Sequence, residues 1–127
     1  MKVRSVYQPK VRYLEGWESL RDAARRMRDG GYDCLPVMCD GELVGIITEH
    51  DLVEAMADVN QAQAASVFDF MTEEPRTVGL DDDCSVAATE MLAIGCRHLP
   101  VVEGGTVVGM VSSRDLLPLA TAGVVEG

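Results

Sequence analysis

Gly45–Leu52 (GIITEHDL) returns sixty-four residues later as Gly109–Leu116 (GMVSSRDL), and this pair of stretches decides the fold. At the same offset, twelve of the thirty-three positions in residues 20–52 are identical to those in residues 84–116, with no gap. The matches include Leu35-Pro36-Val37, which falls on Leu99-Pro100-Val101. Chance does not produce such a match, so the chain contains two copies of one structural unit.

The composition indicates a folded protein that does not bind nucleic acid. A chain of 127 residues that is 47% apolar can bury a core of ordinary domain size. Its formal net charge of −10 repels a polyphosphate backbone. Residues 66–127 contain only three cations, Arg76, Arg97 and Arg114, so we expect these to have specific roles.

No sequence feature indicates a membrane or an oxidising compartment. No apolar run approaches the roughly 20 residues that a membrane span needs, and the N-terminus lacks a signal-peptide core. The spacing of Cys34, Cys39, Cys84 and Cys96 does not predict convergence on one point, as a zinc site requires. We expect a cytoplasmic protein with reduced cysteines that mainly fill the core, and without membrane contact.

The first copy shows alternating strand and helix patterns. An extended lead-in is predicted to contain a short strand over 11–14. Ser19 and Asp22 form a capping pattern before a helix that Gly30-Gly31 ends. Asp40-Gly41 predicts a hairpin between strands 35–38 and 43–48, and a helix follows over about 49–59.

The second copy repeats this order. Ser66 caps a short turn, and a strand is predicted over 76–78. Asp83 caps a helix that runs to Gly95, and strands 98–103 and 106–111 flank Gly104-Gly105. Pro118 lies inside the expected last helix, where it would kink the helix or end it early.

These patterns predict an α+β fold, of the α/β sandwich type, made of two repeats. Each repeat has the order β-α-β-β-α, and the division falls at residues 1–65 and 66–127. A sheet of about three strands leaves an apolar face uncovered, so we expect the repeats to form one compact module about a pseudo-twofold axis, with two related clefts.

The repeated motif resembles the CBS domain, named after cystathionine beta-synthase, which occurs in tandem pairs. The resemblance is carried by Leu-Pro-Val, then Asp-Gly or Gly-Gly, then Gly-hydrophobic-hydrophobic-Thr/Ser-x-x-Asp-Leu, together with Asp69-Phe70-Met71-Thr72 before the second copy. It implies a sensor module that binds AMP, ADP, ATP or S-adenosylmethionine between the repeats. We expect no other cofactor, no metal and no catalytic residue.

The resemblance assigns a group of residues to each cleft. Asp51 and Asp115 would accept hydrogen bonds from ribose hydroxyls, and Thr48 and Ser112 would meet a phosphate. The stronger site is expected to contain Thr77, Val78, Arg97, His98, Leu99, Pro100, Ser112, Arg114 and Asp115. The weaker site is expected to contain Tyr13, Leu35, Pro36, Thr48 and Asp51, with Leu14, Val37 and Val101 completing the two apolar walls.

The two sites differ in charge. Arg97-His98 precedes Leu99 at positions where the regulatory subunit of AMP-activated kinase has basic residues that contact phosphate, whereas the first copy has Asp33-Cys34. Arg114 precedes Asp115 as the family usually has it, and His50 replaces it before Asp51. We therefore expect the second motif to bind nucleotide more strongly.

Each assignment has a structural alternative. Asp51, Asp115, Thr48 and Ser112 could cap helices. Arg97, His98 and Arg114 could form surface ion pairs. Asp81-Asp82-Asp83 resembles a cation loop, although acids are also favoured at a helix start. Arg25, Arg26 and Arg28 suit a helix C-terminus, with partner binding as the less favoured interpretation.

Two functions remain open. The first is a stand-alone regulatory module that binds an adenosine-containing ligand and signals to an unknown regulated protein, as a homodimer in which the Met27 and Met91 faces meet. The second is a ligand-free interaction or dimerisation scaffold. An enzyme is not expected, because no nucleophile with a nearby base and no phosphate-cradling loop is present.

Overall fold

The computed structural model describes residues 1–117, which form two compact units. The central unit is Arg12–Arg76. Among the described residues, the split unit combines Met1–Val11 with residues 77–117. The fold is mixed α and β, with one sheet in each unit, as predicted.

The central unit contains a four-stranded sheet, three α-helices and a short 3-10 helix (Ala62–Ala64). In chain order the strands and α-helices are β1 (Leu14–Glu15), α1 (Leu20–Gly30), β2 (Cys34–Cys39), β3 (Glu42–Thr48), α2 (Glu49–Asp58), α3 (Val67–Phe70) and β4 (Thr72–Glu73). The strands lie in the order β1-β2-β3-β4. Strand β1 is parallel to β2, and the pairs β2/β3 and β3/β4 are antiparallel.

The split unit repeats this arrangement with a three-stranded sheet, in which β5 (Val78–Gly79), β6 (His98–Glu103) and β7 (Thr106–Ser112) lie in that order. Leu99 pairs with Val111 as Leu35 pairs with Ile47, and both hairpins contain a bulge at the same repeat position. Residues 113–117 are helical. The other helices of this unit are a 3-10 helix (Val3–Ser5) and α4 (Cys84–Ile94).

The predicted caps and turns are present. Ser19 and Asp22 form a reciprocal capping box at the start of α1, and Asp83 accepts a hydrogen bond from the Ser85 N–H at the start of α4. The helices end at Gly31 and Gly95, both in the left-handed conformation that suits glycine. Positive φ angles at both residues of each two-residue hairpin loop confirm the predicted tight turns.

Each unit has its own apolar core. Leu35, Val37 and Ile47 pack with α1, and Leu99, Val101 and Val111 pack with α4. Met27 and Met91 are buried members of these cores. Both side chains are largely covered within their own units, and a contact between these helix faces and a partner copy stays a prediction.

The two lead-in segments are exchanged between the repeats. Residues 1–11 open the first repeat but pack in the split unit, and residues 66–76 open the second repeat but pack in the central unit. Val3 and Val67 stand sixty-four residues apart and are both fully buried. The packing units therefore differ from the predicted division into 1–65 and 66–127, which follows the sequence repeat.

Two glycines allow the exchanged lead-ins to approach the sheets. A Cβ atom on Gly45 would lie 2.7 Å from the Thr72 carbonyl oxygen, and one on Gly109 would overlap the Gln8 carbonyl oxygen. The main chains of Gln8 and Met110 exchange hydrogen bonds of 2.8 and 3.0 Å. Glycine at these positions is thus required by close packing of one backbone on another.

A few local predictions differ from the structure. The strand expected over 11–14 is confined to Leu14–Glu15, and the one expected over 76–78 is confined to Val78–Gly79. No cysteine forms a disulfide; three are buried as expected, whereas Cys39 is exposed and fills no core. Pro118 lies outside the described residues. Within residues 1–117, no helix has the length and apolar character needed to cross a membrane.

Candidate functional site

Asp51 lies at the start of α2 and forms a capping box with Thr48. Its Oδ2 atom accepts a hydrogen bond of 2.8 Å from the Thr48 N–H, and its own N–H donates to Thr48 Oγ1 at 3.1 Å. The hydroxyl of Thr72 on β4 lies 3.4 Å from Asp51 Oδ1. The carboxylate therefore joins the end of β3, the first turn of α2 and the exchanged lead-in.

Asp115 repeats this geometry in the split unit. Its Oδ2 atom accepts from the Ser112 N–H at 2.8 Å, and its N–H donates to Ser112 Oγ at 3.2 Å. The side-chain amide of Gln8 donates to Asp115 Oδ1 at 3.2 Å. Gln8 and Thr72 are sixty-four residues apart, so the same lead-in position reaches the aspartate in each unit.

The interpretation of both aspartates as helix caps is confirmed. Capping still leaves acceptor positions on each carboxylate for a ligand. An ionised carboxylate offers about four acceptor positions, of which the capping box uses one. Both side chains are half-buried and not enclosed. Each aspartate can therefore hold its helix start and still accept hydrogen bonds from vicinal hydroxyl groups, in exchange for the bond from Gln8 or Thr72.

Several polar residues that were predicted to form the stronger site lie at one end of the β6/β7 hairpin. His98 lies opposite Ser112, and the Ser113 N–H donates to the Arg97 carbonyl oxygen at 2.8 Å. Arg97 and Arg114 are exposed, and His98 is half-buried. Arg97 and Arg114 thus lie at the end of the hairpin, close in the chain to the first turn of the helix 113–117, which contains Asp115.

The equivalent end of the central unit lacks these cations. Cys34 lies opposite Thr48, and the Glu49 N–H donates to the carbonyl oxygen of Asp33, whose side chain is buried. His50 is exposed and lies 2.9 Å from Glu54. This end therefore carries Asp33 and His50 where the split unit carries Arg97 and Arg114, and it is less suited to an anion.

The predicted apolar walls belong to the sheets themselves. Leu35 and Leu99 are buried in the cores, while Pro36 and Pro100 are buried on the opposite sheet faces. Val78 pairs with Val101 on the side of β6 away from β7, which places Thr77 beside β6. A contact between these residues and a base stays a prediction.

The main chain of Tyr13 is held by a hydrogen bond from Arg26, which also forms a salt bridge with Glu18. Arg26 donates to the Tyr13 carbonyl oxygen and to both carboxylate oxygens of Glu18, which is buried. The Glu15 N–H also donates to Glu18 at 2.7 Å. Arg26 therefore has a specific structural role and does more than complement the helix dipole.

The triple-aspartate stretch is a structural feature of the split unit. Asp81 pairs with Arg4, and Asp82 accepts from the Gly79 N–H. Asp83 caps α4, and hydrogen bonds from Ser85, followed by the amino group of Met1, lower its pKa to about 2. Among the described residues, no group of three His, Cys, Asp or Glu side chains is placed to hold a metal ion.

Sequence reasoning missed Gln8 and Thr72. Both contact the motif aspartates only because the lead-ins are exchanged, and this packing has no local signature. The repeat offset could have indicated their equivalence, since Val3 and Val67 are identical at the same spacing. The residue types differ, however, so the match of Gln8 with Thr72 is visible only in the structure.

The fold and motifs define a duplicated small α/β module. The CBS domain family model matches residues 3–58 and 67–120, so the chain belongs to the CBS domain family as a tandem pair. It is 33% identical over 117 residues to an uncharacterised 17.7 kDa protein of Acidianus ambivalens, covering 91% of this chain and 70% of that protein.

Two further relatives show the contexts in which similar pairs occur. The chain is 35% identical over 100 residues to inosine-5'-monophosphate dehydrogenase of Korarchaeum cryptofilum, covering 78% of this chain and 20% of that enzyme. The solved CBS domain pair of protein MJ0100, in complex with 5'-methylthioadenosine and S-adenosylmethionine, is 26% identical. Its TM-score is 0.82, over 96% of this chain and 97% of that one.

Proposed function

We propose that this CBS pair is a regulatory module that binds an adenosine-containing ligand at the Asp115 motif and signals the ligand's presence to another protein. The observation that carries the proposal is the association of the half-buried Asp115 carboxylate with Arg97, His98 and Arg114 at one end of the β6/β7 hairpin. The carboxylate is suited to ribose hydroxyls and the guanidinium groups to phosphate.

The MJ0100 pair supports the class of ligand. Its structure contains two adenosine derivatives, and its fold covers nearly the whole of this chain. Among AMP, ADP, ATP and S-adenosylmethionine, the two exposed arginines favour a phosphate-bearing ligand in this protein. The Asp51 motif, with Asp33 at the equivalent hairpin end, is expected to bind more weakly.

Calorimetric titration tests the proposal. AMP, ADP, ATP and S-adenosylmethionine are titrated into wild type, Asp115→Ala and Asp51→Ala, with GMP as the control for base selectivity. We expect Asp115→Ala to weaken binding at least tenfold, which corresponds to about 1.4 kcal/mol, and Asp51→Ala to change it much less. Equal binding by wild type and Asp115→Ala would reject the assignment.

A homodimer is part of the proposal, through a surface of α4 that includes the Met91 position. Leu92 on α4 is 84% exposed, and it borders a groove of about 430 Å³. Besides Leu92, the groove is lined by Ala88, Met91, Gly95, Cys96, Arg97, Ser113, Leu116 and Leu117. An exposed apolar side chain beside an apolar groove suits a two-fold contact in which each copy fills the groove of the other.

Sedimentation without ligand tests this contact. We expect wild type to dimerise, Leu92→Glu to shift the equilibrium to monomer, and Val53→Glu to leave it unchanged. Val53 is the matched control because it is also an exposed apolar residue on a helix, at 65% exposure, in the central unit. A monomeric wild type, or a dimer that only Val53→Glu weakens, would contradict the proposed face.

The second candidate is a ligand-free interaction scaffold. The observation in its favour is that both motif aspartates already accept hydrogen bonds from within their own units. The thermal stability of wild type in the presence of each adenosine compound separates the candidates, because a scaffold gains no stability from any of them.

We propose no catalytic activity, and we propose a cytoplasmic location that is consistent with the absence of disulfides.

A further inference from the structure

Trp17 and Phe68 are the two most exposed aromatic side chains of the central unit. Trp17, the single tryptophan of the chain, is 77% exposed, and Phe68 is 53% exposed. The Phe68 N–H donates to the Gly16 carbonyl oxygen at 2.9 Å. A Cβ atom on Gly16 would lie 3.1 Å from the Phe68 ring, so the ring lies against the residue that precedes Trp17. The aromatic patch is defined as Trp17 and Phe68.

The fold itself does not require aromatic residues at these two positions. At the repeat offset, Trp17 corresponds to Asp81 and Phe68 to Arg4. The Arg4 N–H donates to the Leu80 carbonyl oxygen at 2.9 Å, as Phe68 donates to Gly16, and the side chains of Arg4 and Asp81 form an exposed ion pair at 3.2 Å. The split unit thus satisfies the same backbone geometry with two charged residues.

Helix α1 begins three residues after Trp17 and carries several positive charges. Arg21, Arg25 and Arg28 are exposed, and their spacing of four and three residues places them on one face of the helix. Arg28 also pairs with Asp29 at 2.8 Å. The equivalent positions in the split unit are Ser85, Thr89 and Leu92. This concentration of cations is therefore specific to one repeat, in a chain of net charge −10.

We propose that the aromatic patch and the Arg21–Arg25–Arg28 face form a docking site for an acidic segment of another protein that carries an apolar anchor residue. Exposed aromatic side chains contribute strongly to protein interfaces, and arginine pairs well with carboxylates. The inference deepens the proposed regulatory function, because it identifies a surface through which the module would engage its partner. It does not depend on ligand binding at Asp115.

The repeat itself supplies the variant for the test. Trp17→Asp combined with Phe68→Arg introduces the ion pair that the split unit already accommodates at the same positions. A second variant, Arg21→Glu with Arg25→Glu, leaves the aromatic patch in place and reverses charge on α1. Thermal unfolding and AMP titration of both variants verify that the fold and the Asp115 motif are retained.

Random 12-residue peptides are selected on the wild-type protein without nucleotide, and binding of the selected peptides is then measured. We expect them to contain an aromatic or large aliphatic residue with at least two acidic residues, and to shift the Trp17 fluorescence to shorter wavelength. Each paired variant should weaken binding at least tenfold, and added salt should weaken it further. Failure to select any peptide, selection of neutral or basic peptides, or equal binding to the variants would overturn the proposal.

Discussion

The two motif aspartates show, at the residue scale, how one carboxylate can stabilise a helix start while keeping the capacity to accept other hydrogen bonds. Both accept a 2.8 Å hydrogen bond from the N–H group three residues earlier, and both also receive a donor from a lead-in segment. The repetition of this geometry at Asp51 and Asp115 explains why the two copies share these residues. The surrounding charges, and not the aspartates themselves, distinguish the two motifs.

Removing either aspartate is expected to lower stability. Asp51→Ala and Asp115→Ala each remove the acceptor for a backbone N–H, so we expect a loss of about 1–2 kcal/mol in the free energy of unfolding, measured in urea. Asp40→Ala, on an exposed loop, is unsuitable as a control because its φ is positive. Asp58→Ala, at the exposed end of α2, is suitable. A change within about 0.5 kcal/mol at both motif positions would contradict the capping role.

The acid dependence of stability provides a second test at this scale. Hydrogen bonds from Ser85 lower the pKa of Asp83 from 3.8 to about 2 in the folded state. Because the folded pKa lies below the unfolded one, the stabilisation is complete above pH 3.8 and is lost as the pH falls to about 2. We expect Asp83→Asn to be less stable than wild type at pH 6 and to approach it near pH 2, as followed by circular dichroism. A difference that does not depend on pH would exclude this linkage.

At the scale of elements, the exchanged lead-ins are the main feature of each unit. Val3 belongs to the core of the split unit although it lies at the start of the first repeat. We expect Val3→Ala to destabilise the protein by about 2 kcal/mol, whereas Val11→Ala, at an exposed position, should cost less than about 0.5 kcal/mol. Hydrogen exchange should report the loss in β6 and β7. Equal effects of the two substitutions would argue against packing of residues 1–11 on this unit.

The glycines that face the lead-ins allow a stricter test of the same packing. Gly109→Ala places a methyl group onto the Gln8 main chain, and Gly45→Ala places one 2.7 Å from the Thr72 carbonyl oxygen. We expect each to destabilise by about 1–3 kcal/mol in urea unfolding. At Gly79 a Cβ atom would meet its nearest neighbour at 3.5 Å, so Gly79→Ala is the matched control and should cost markedly less. A similar cost at all three positions would refute the close approach.

The elements that depend on local chemistry were predictable, and those that depend on distant packing were not. Ser19, Gly31 and the two-residue hairpin loops specify their own conformations through capping and positive φ. The exchange of residues 1–11 and 66–76 involves contacts between segments far apart in the sequence, so periodicity does not reveal it. For the same reason the contacts of Gln8 and Thr72 with the motif aspartates were missed. The helical spacing of Met27 shows that it lies on an apolar helix face, but it does not show whether that face packs in the core or against a partner.

At the scale of the whole molecule, comparison of the two copies distinguishes residues that the fold requires from residues that occur in only one copy. The two copies share their cores, hairpins and capping aspartates. The differences that bear on binding include Arg97 and Arg114 of the split unit, and the aromatic patch with its arginine face in the central unit. This distribution supports a division of roles, with ligand binding assigned to one unit and protein docking to the other.

The most direct measurement of the central claim is a crystal structure of the protein grown with saturating AMP. We predict density for the nucleotide at the Asp115 motif, with the ribose hydroxyls within hydrogen-bond distance of the Asp115 carboxylate and the phosphate near Arg97 or Arg114. Gln8 would then have released Asp115 Oδ1. Nucleotide bound elsewhere, or an empty motif in which Asp115 remains bonded only to Ser112 and Gln8, would contradict the account.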